Sequence, residues 1–505
     1  MWLAVTVVVA GLSPLAARVA LSWANRPPSR PPGPPPPGRP FVATGVTLSE
    51  PPLSRPGLQA AVKGTNVVIC VLDAARVDHF SGYGYPRETT PHFDRLAQEG
   101  LLFEQHFCEA PMTKPSTVSL LTGLYPDTHG LLLNGSTETL AQAGGGDVLT
   151  LEGAFARAGY ATYLLSSHAV ASPAFGVGTD FQHRRFLGWA EVAKPMDRVG
   201  WMRAELSRLI PRWKAAGRPV FAYLHVLPPH LPYNAPAEFR RRFQGQRPPR
   251  YFRSRPAWGA AASDAALGAP ATWQEWGNLY DANLRWADSF VGDLEQALRE
   301  AGLLRRTLLV VTADHGDALQ EHTFAFHPTS PYDEDLHIPL LVRFPGPGRP
   351  AGRVHALSQT IDLLPTLLDL YQLPYRRTKV QGRSLLPLLE GRAKAVNDYV
   401  VSAAGSLSAC YVLRDAHHTL LIRPGEAPRL LYDMDSDPWQ TEDVYREQRA
   451  GAAELERDFA AYVRAQRLPP SGFPESPQTA AGAARPAPAL SPEQRRDLRS
   501  LGYVQ

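Results

Sequence analysis

Short, unbroken hydrophobic runs mark the central part of the chain. They occupy residues 66–72, 220–224 and 307–312, and further strands are predicted at residues 160–165 and 338–344. A run of this length predicts a β-strand that is buried on both faces, as in a parallel sheet covered by helices. We therefore expect a largely buried sheet at the centre of the fold.

Segments with a helical spacing of hydrophobic residues separate these strands. The clearest covers residues 280–298 and leads into the strand at 307–312. Shorter helices are predicted at residues 92–100, 151–159 and 360–370. Strands that alternate with helices indicate an α/β fold with a mainly parallel sheet and helices on both faces.

The pattern changes beyond residue 375, where short strands separated by turns replace the alternation. Strands are predicted at residues 399–402, 411–414 and 418–422, and an amphipathic helix at about 452–467. We therefore predict an α/β catalytic domain over residues 64–375 and a smaller α+β subdomain over residues 376–467.

The two ends of the chain have unusual compositions. The apolar start predicts a signal peptide or membrane anchor over residues 1–25, and hence a periplasmic, extracellular or membrane-anchored protein; a start without structure is the alternative. Residues 26–63 are predicted to form a Pro-rich linker. Residues 468–505 are predicted to be a mostly disordered tail with a short terminal helix.

Charge and cysteine content narrow the class of protein. A net charge of +4 over 505 residues, without a basic run, argues against nucleic acid as a partner. The three cysteines, Cys70, Cys108 and Cys410, form neither a disulfide framework nor a CxxC motif. The composition is therefore that of a globular protein without a disulfide scaffold.

Polar residues follow three of the predicted strands at once. Asp73 ends the first strand, His225 the second (with His230 shortly after), and Asp314 and His315 the third. Ligands of doubly wound α/β sheets bind outside the carboxyl ends of the strands. Three such endings predict a site at this edge.

A threonine precedes a predicted short helix within residues 110–123. Pro115 suits the first helical turn, and Gly123 is a natural stop. Thr113 is therefore predicted just ahead of a helix N-terminus, where it is either an ordinary capping residue or a nucleophile activated by a metal ion.

Several motifs resemble the sulfatase branch of the alkaline phosphatase superfamily. The nucleophile motif of that family, Cys-x-Pro-x-Arg followed by Leu-x-Thr-Gly, resembles residues 113–123. Further matches lie at residues 72–79, 83–85, 90–91, 124–126, 129–130, 225–233, 314–322 and 332–343. The resemblance runs through residues 64–465 in family order. It implies an alkaline-phosphatase-like fold, with a small C-terminal antiparallel sheet and helix, and metal-dependent ester hydrolysis.

Departures from the family pattern change the expected chemistry. Thr113 stands where the family has its modified cysteine, Thr117 where it has arginine, and Ala74 where it has a second aspartate. Cys108 is not a displaced nucleophile, because Pro111 follows it by three positions where the motif needs two. The centre is thus similar to that of phosphoethanolamine and glycerophosphate transferases.

The resemblance implies a site with one divalent metal ion. Its ligands would be Asp73, Thr113, Asp314 and His315, with Zn²⁺ or Mn²⁺ favoured and Ca²⁺ or Mg²⁺ as alternatives, because Ala74 removes an oxygen ligand.

Roles for the other polar residues follow the same resemblance. Thr113 is predicted as the nucleophile, and His230 or His327 as the acid that protonates the leaving group. Substrate-binding roles are predicted for Arg76, Lys114, His225 and His322. A structural role is the alternative for each histidine, and an ion pair with Asp78 for Arg76. His129 and His168 are predicted to be structural.

We predict a hydrolase that cleaves phosphate mono- or diesters of small molecules, glycans or lipids through Thr113. A sulfuric ester hydrolase, a transferase of phospho-alcohols and a binding pseudoenzyme are the alternatives. Transferase relatives carry several membrane spans, whereas this chain has at most one short apolar run. Retention of Asp73, Thr113, Asp314 and His315 argues against a pseudoenzyme.

Overall fold

The computed structural model describes most of the chain between residues 46 and 468. The described residues are 46–48, 52–134, 136–143, 148–187, 197–246, 273–319, 321–323, 330–404, 410–423 and 428–468. The predicted leader at residues 1–25, the tail beyond residue 468 and the candidate acid His327 lie outside them.

A nine-stranded sheet forms the centre of the catalytic domain. Its strands are β1 (Val46–Leu48), β2 (Asn66–Leu72), β3 (Leu101–Phe103), β5 (Ala161–Ser166), β6 (His183–Phe186), β7 (Val220–Val226), β8 (Thr307–Ala313), β9 (Leu340–Arg343) and β10 (Gly352–Val354). They are arranged in the order β1-β10-β3-β9-β8-β2-β7-β5-β6. Strands β8, β2, β7, β5 and β6 are mutually parallel, whereas β9 runs antiparallel to both of its neighbours. Two short strands, β4 (His106–Phe107) and β11 (Ser358–Gln359), pair separately.

Helices cover both faces of this sheet. In chain order they are α1 (Arg55–Val62), α2 (Pro91–Ala97), α3 (Thr113–Thr122), α4 (Pro126–His129), α5 (Leu151–Arg157), α6 (Arg198–Ala215), α7 (Ala237–Phe243), α8 (Trp273–Glu300), α9 (Asp333–Leu336), α10 (Leu363–Leu370) and α11 (Leu386–Leu389). Helices α2, α6 and α8 pack on one face, and α1, α3, α5 and α10 on the other. Alternate residues of β2 therefore enter two different hydrophobic cores, which explains why its sequence is apolar throughout.

The C-terminal part forms its own antiparallel sheet of four strands, β12 (Val400–Ala404), β13 (Cys410–Arg414), β14 (His418–Ile422) and β15 (Leu430–Asp433). Helix α12 (Arg449–Gln466) packs against this sheet. The predicted fold class, a mainly parallel α/β sheet with a smaller antiparallel sheet and helix, is confirmed. Among the described residues, no helix combines the length and hydrophobicity that a membrane crossing requires.

The predicted linker at residues 26–63 extends too far. Strand β1 pairs with β10, and helix α1 buries Leu58 and Val62 against the sheet. Ser54 caps α1 by accepting a hydrogen bond from Gly57 N–H, and Pro56 lies in the first helical turn, so this proline belongs to a helix start. Folded structure therefore begins before Gly64.

Candidate active site

The predicted strand endings meet at one edge of the sheet. Strands β8, β2 and β7 are neighbours; Asp314 and Asp73 directly follow β8 and β2, and His225 is the penultimate residue of β7. All three side chains are almost fully buried. The sheet thus brings Asp73 and Asp314 to one edge, although they are more than two hundred positions apart in the chain.

Four side chains converge at this edge, and we refer to Asp73, Thr113, Asp314 and His315 as the metal cluster. His315 Nε2 lies 3.3 Å from Thr113 Oγ1, 3.7 Å from Asp73 Oδ1 and 3.6 Å from Asp314 Oδ2. His315 Nδ1 donates a hydrogen bond to the carbonyl of Gly316 at 2.7 Å, which assigns the lone pair of the neutral ring to Nε2. These are the residues predicted to hold the metal ion.

The donor set of the metal cluster fits a divalent cation. Asp73 Oδ1 and Asp314 Oδ2 are buried and accept no hydrogen bond from the described residues. Two buried carboxylate oxygens without such a partner are costly unless a positive charge compensates them. With metal–ligand bonds of about 2.1 Å, two ligands of a tetrahedral zinc ion lie roughly 3.4 Å apart, close to the separations seen here.

The other oxygen of Asp73 has a different environment. Asp73 Oδ2 lies 2.6 Å from His168 Nδ1 and 2.7 Å from His225 Nε2. Burial opposes ionisation of Asp73, but the neighbouring His168 and His230 and the hydrogen bonds from His168 and His225 hold its pKa well below the ordinary value. These contacts therefore favour the ionised form of Asp73.

Thr113 is the first residue of helix α3 rather than the residue ahead of it, with Met112 at the N-cap. Its side chain is fully buried. Ser116, one turn later, donates a hydrogen bond from Oγ to the backbone carbonyl of Asp314 at 2.5 Å. This bond ties the start of the helix to the end of β8, so Thr113 and His315 hold a fixed relation.

Two residues beside the metal cluster, Ala74 and Gly316, have restricted backbone surroundings. Ala74, directly after Asp73, adopts a left-handed conformation with φ of 60°, which is uncommon for a non-glycine residue. In this conformation its N–H donates to Asp314 Oδ1 at 3.1 Å. A Cβ atom at Gly316 would lie 1.9 Å from the carbonyl oxygen of Glu334, so glycine is required there.

A second charged group begins three residues after Asp73, and we call Arg76, Asp78 and Glu321 the arginine cluster. Arg76 and Glu321 are buried, whereas Asp78 is partly exposed. Arg76 donates to both carboxylate oxygens of Asp78 at 2.9 and 2.8 Å, to Glu321 Oε1 at 2.8 Å and to the carbonyl of Asp317 at 3.1 Å. The predicted alternative for Arg76, an ion pair with Asp78, is present. Its predicted contact with substrate stays a prediction.

The remaining predicted binding residues have partners inside the protein. Lys114 Nζ donates to the carbonyls of Ser136 and Glu138, both at 2.8 Å, and burial lowers its pKa to about 8. His322 lies 3.1 Å from Glu334 Oε1 through Nδ1 and 3.0 Å from the carbonyl of Trp439 through Nε2. Their substrate contacts also stay predictions.

Two further histidines, His230 and His129, have different surroundings. His230 Nδ1 donates to the carbonyl of Leu231 at 2.6 Å, and its ring centroid is 5.3 Å from that of His168 and 6.5 Å from that of His315. His129, predicted to be structural, lies 3.1 Å from Ser119 Oγ and accepts from Leu131 N–H. His230 is thus near the centre, while His129 supports helix α3.

Two residues near the centre were not expected from the sequence. His168 follows the end of β5 and bonds to Asp73, although a structural role was predicted for it. The strand-end argument, applied to β5 as well, would have found it. Tyr223 lies within β7, and its hydroxyl lies 3.0 Å from His225 Nδ1. No sequence signal distinguishes Tyr223 from an ordinary core residue.

Comparison with known proteins supports the resemblance. The family model "Sulfatase" matches residues 65–373, which is more than half of the chain. A second model, described as the C-terminal part of N-sulphoglucosamine sulphohydrolase, matches residues 321–465. The second match covers the antiparallel sheet and helix α12.

Individual relatives agree with these models. An endo-4-O-sulfatase of Bacteroides thetaiotaomicron is 25% identical over 345 residues, covering 59% of this chain and 66% of that protein. An ulvan-active sulfatase of Formosa agariphila is 24% identical, covering 74% and 76%. The structure of phosphonate monoester hydrolase of Agrobacterium radiobacter aligns with a TM-score of 0.65 at 22% identity, covering 80% of this chain and 96% of that one. The chain belongs to the sulfatase family of metal-dependent ester hydrolases, within the alkaline phosphatase superfamily.

Proposed function

We propose that the protein hydrolyses phosphate mono- or diesters, with Thr113 as the nucleophile. The observation that carries the proposal is the position of Thr113 Oγ1, 3.3 Å from His315 Nε2 in the metal cluster. Asp73 Oδ1 and Asp314 Oδ2 lie 3.7 and 3.6 Å from the same nitrogen, an arrangement that a threonine with only a structural role in the helix would not need. The start of helix α3 adds a partial positive charge that favours an anionic substrate group.

Asp73, Asp314 and His315, together with Thr113, would hold one divalent ion. Two carboxylates and an imidazole favour Zn²⁺ or Mn²⁺ over Ca²⁺ or Mg²⁺, because the latter two prefer oxygen ligands alone. The ion would supply Lewis-acid chemistry, by lowering the pKa of the threonine hydroxyl and neutralising charge on the phosphoryl oxygens.

The reaction would proceed in two displacements. The Thr113 hydroxyl loses its proton to solvent, Oγ1 attacks phosphorus in line, and the bond from phosphorus to the leaving alcohol breaks as His230 protonates that alcohol, which leaves phospho-threonine. A water molecule then attacks the phosphorus of phospho-Thr113 and gives a proton to the now neutral His230. The bond from phosphorus to Oγ1 breaks, phosphate (or a phosphomonoester when the substrate is a diester) is released, and Thr113 regains a proton from solvent.

His230 is the proposed acid for the leaving alcohol. Its Nδ1 already donates to the carbonyl of Leu231, so Nε2 is the atom that would carry the transferred proton. A histidine suits this role because its ordinary pKa lies near neutrality.

Phosphate esters are favoured over sulfate esters as substrates because threonine has no second hydroxyl. Family sulfatases use a formylglycine hydrate, whose second hydroxyl expels the sulfate by collapse to an aldehyde. Threonine has one hydroxyl, so a sulfated Thr113 would have no such exit, whereas a phosphorylated Thr113 can be hydrolysed in line. The position of the family's supporting arginine is also changed, to Thr117.

Sulfate ester hydrolysis is the second candidate. It is favoured by the relatives, since both the endo-4-O-sulfatase and the ulvan-active sulfatase are named for sulfatase activity. Their alignments span 66% and 76% of those proteins, so a shared substrate would have to be established separately.

A comparison of matched substrates tests the proposal. The purified protein, loaded in turn with Zn²⁺, Mn²⁺, Ca²⁺ and Mg²⁺, would be assayed with aryl phosphomonoester, phosphodiester and sulfate substrates that share one leaving group. We expect kcat/KM for a phosphoester to exceed that for the sulfate. A sulfate ester that is preferred by about tenfold or more, which is about 1.4 kcal/mol in transition-state binding, would reject the proposal.

A further inference from the structure

The two oxygens of Asp73 are surrounded by contacts of two different kinds. On the Oδ1 side, the separations within the metal cluster are 3.3 to 3.7 Å, as for atoms that share a cation. On the Oδ2 side, His168 Nδ1 and His225 Nε2 lie at 2.6 and 2.7 Å. These shorter distances are those of charge-assisted hydrogen bonds.

The short contacts determine where the hydrogens are. A carboxylate oxygen only accepts hydrogen bonds, so both nitrogens that face Oδ2 must carry a hydrogen. A nitrogen that carries a hydrogen toward Asp73 has no lone pair for a cation. His168 and His225 therefore face Asp73 as donors, although the three side chains together have the composition of a second metal site.

Tyr223 completes the arrangement around His225. The Tyr223 hydroxyl is 3.0 Å from His225 Nδ1 and 3.5 Å from Thr117 Oγ1, and all of these side chains are fully buried. Both ring nitrogens of His225 are thus engaged within the protein. Tyr223 can orient the ring so that Nε2 points at Asp73.

We propose that His225, oriented by Tyr223, and His168 are positioning residues that hold Asp73 so that Oδ1 alone faces the metal ion. This assigns His225 to Asp73 instead of to the substrate. The proposal rests on the metal centre of the proposed function and names the residues that set its affinity. Partners of this kind typically change metal affinity by about 10- to 100-fold when they are removed.

Metal affinity of the full chain, measured after removal of bound metal by a chelator, tests the proposal. A competition titration of Zn²⁺ against a zinc-binding dye would compare wild type, His225→Leu, His225→Gln and Tyr223→Phe. We expect His225→Leu to weaken zinc binding by about 10- to 100-fold. His225→Gln should bind about tenfold more tightly than His225→Leu, because its amide can still donate to Asp73.

Tyr223→Phe removes only the hydroxyl that contacts His225 Nδ1, and Tyr371→Phe is its matched control. The Tyr371 hydroxyl also makes partly buried contacts, at 3.0 Å to Thr65 Oγ1 and 3.3 Å to the carbonyl of Asn66, but at the opposite end of β2. We expect Tyr223→Phe to weaken zinc binding by about two- to tenfold, the worth of one hydrogen bond, and Tyr371→Phe to leave it unchanged. If Tyr223 had a purely structural role, both tyrosine variants would have a lower melting temperature in the metal-free form, and the zinc affinity of neither would change.

Different results would reject the positioning role and the metal centre. Zinc affinities of His225→Leu and Tyr223→Phe within about twofold of wild type would reject the positioning role while leaving the metal centre intact. Two zinc ions per wild-type chain, with one lost in His225→Leu, would show a second cation site in its place. No bound zinc or manganese in the wild type would reject the proposed metal centre itself. If His225→Leu does not fold, the contrast between the two tyrosine variants decides.

Discussion

The metal cluster and the arginine cluster are two charged groups near the same sheet edge, and their carboxylates are compensated in different ways. In the arginine cluster, every carboxylate contacts the Arg76 guanidinium at hydrogen-bonding distance. In the metal cluster, Asp73 Oδ1 and Asp314 Oδ2 are buried and accept no hydrogen bond from the described residues. The carboxylates of the arginine cluster are therefore paired with a cationic side chain, whereas these two oxygens of the metal cluster are not.

The difference separates structural from functional use of buried charge. A carboxylate that is paired and hydrogen-bonded can stabilise the fold, whereas one left uncompensated costs stability that the surrounding packing must supply. Residues of the metal cluster should therefore matter for activity and metal binding, and residues of the arginine cluster for stability.

Thr113→Ala should give the largest effect, because it should abolish activity while leaving stability nearly unchanged. Removal of the nucleophile should lower kcat by at least about a thousandfold, while the melting temperature changes little, because Thr113 contributes one small side chain to the packing. Steady-state kinetics and thermal unfolding measure the two quantities. Thr113→Ser, which keeps a hydroxyl, is the control. Near-normal kcat in Thr113→Ala would contradict the assignment.

Asp314→Asn tests whether the metal cluster is held together by a cation. The amide oxygen can still accept from the N–H groups of Ala74 and His315, as Asp314 Oδ1 does at 3.1 and 2.9 Å. We expect bound metal to be lost in elemental analysis, whereas the metal-free variant should be at least as stable as metal-free wild type, because an uncompensated charge has gone. Full metal content would reject this ligand.

Glu321→Gln removes a carboxylate charge from the arginine cluster and, unlike Asp314→Asn, should lower the stability of the metal-free protein. The charge-assisted bond to Arg76 at 2.8 Å is buried, so its weakening should cost about 2 kcal/mol in the free energy of unfolding. Urea denaturation in the presence of chelator measures this. Equal stability of Glu321→Gln and wild type would remove the distinction between the two clusters.

A smaller effect is expected from acid titration of Asp78. Burial opposes its ionisation, but the Arg76 guanidinium lowers the pKa of Asp78 from 3.8 to about 2. A lowered pKa stabilises the fold above the unfolded-state value, and the contribution is lost as the pH falls toward the folded-state value. Wild type should therefore lose roughly 1 kcal/mol more than Asp78→Asn between about pH 5 and about pH 3. An equal loss of unfolding free energy in wild type and Asp78→Asn over this pH range would contradict the expectation.

The central strands and their polar ends could be predicted from local sequence. Strand β2 has the predicted bounds, and β8 and β7 extend only one or two residues beyond theirs, because a strand buried on both faces leaves an unbroken apolar run. Parallel neighbours then bring Asp73 and Asp314 to one edge. Fold class and candidate ligands thus followed from the same pattern.

Contacts that depend on the tertiary arrangement could not be predicted in this way. Glu321 reaches Arg76 across 245 positions, and Tyr223 is indistinguishable from a core tyrosine until its hydroxyl is seen beside His225. The predicted linker failed for a local reason, since Ser54 and Pro56 are as compatible with a helix start as with an extended segment. The local pattern thus points to the candidate ligands, whereas their hydrogen-bond partners depend on the tertiary fold.

A trapped covalent intermediate would test the central claim most directly. The metal-loaded protein would be mixed with aryl phosphate or aryl sulfate, quenched in acid within milliseconds, digested and analysed by accurate-mass peptide mapping. We predict a phosphoryl group on Thr113 from the aryl phosphate, and no modified peptide in Thr113→Ala. A transferred group on a different residue, or a sulfuryl group on Thr113 with no phosphoryl group from the phosphate, would contradict a phosphoester hydrolase with a threonine nucleophile.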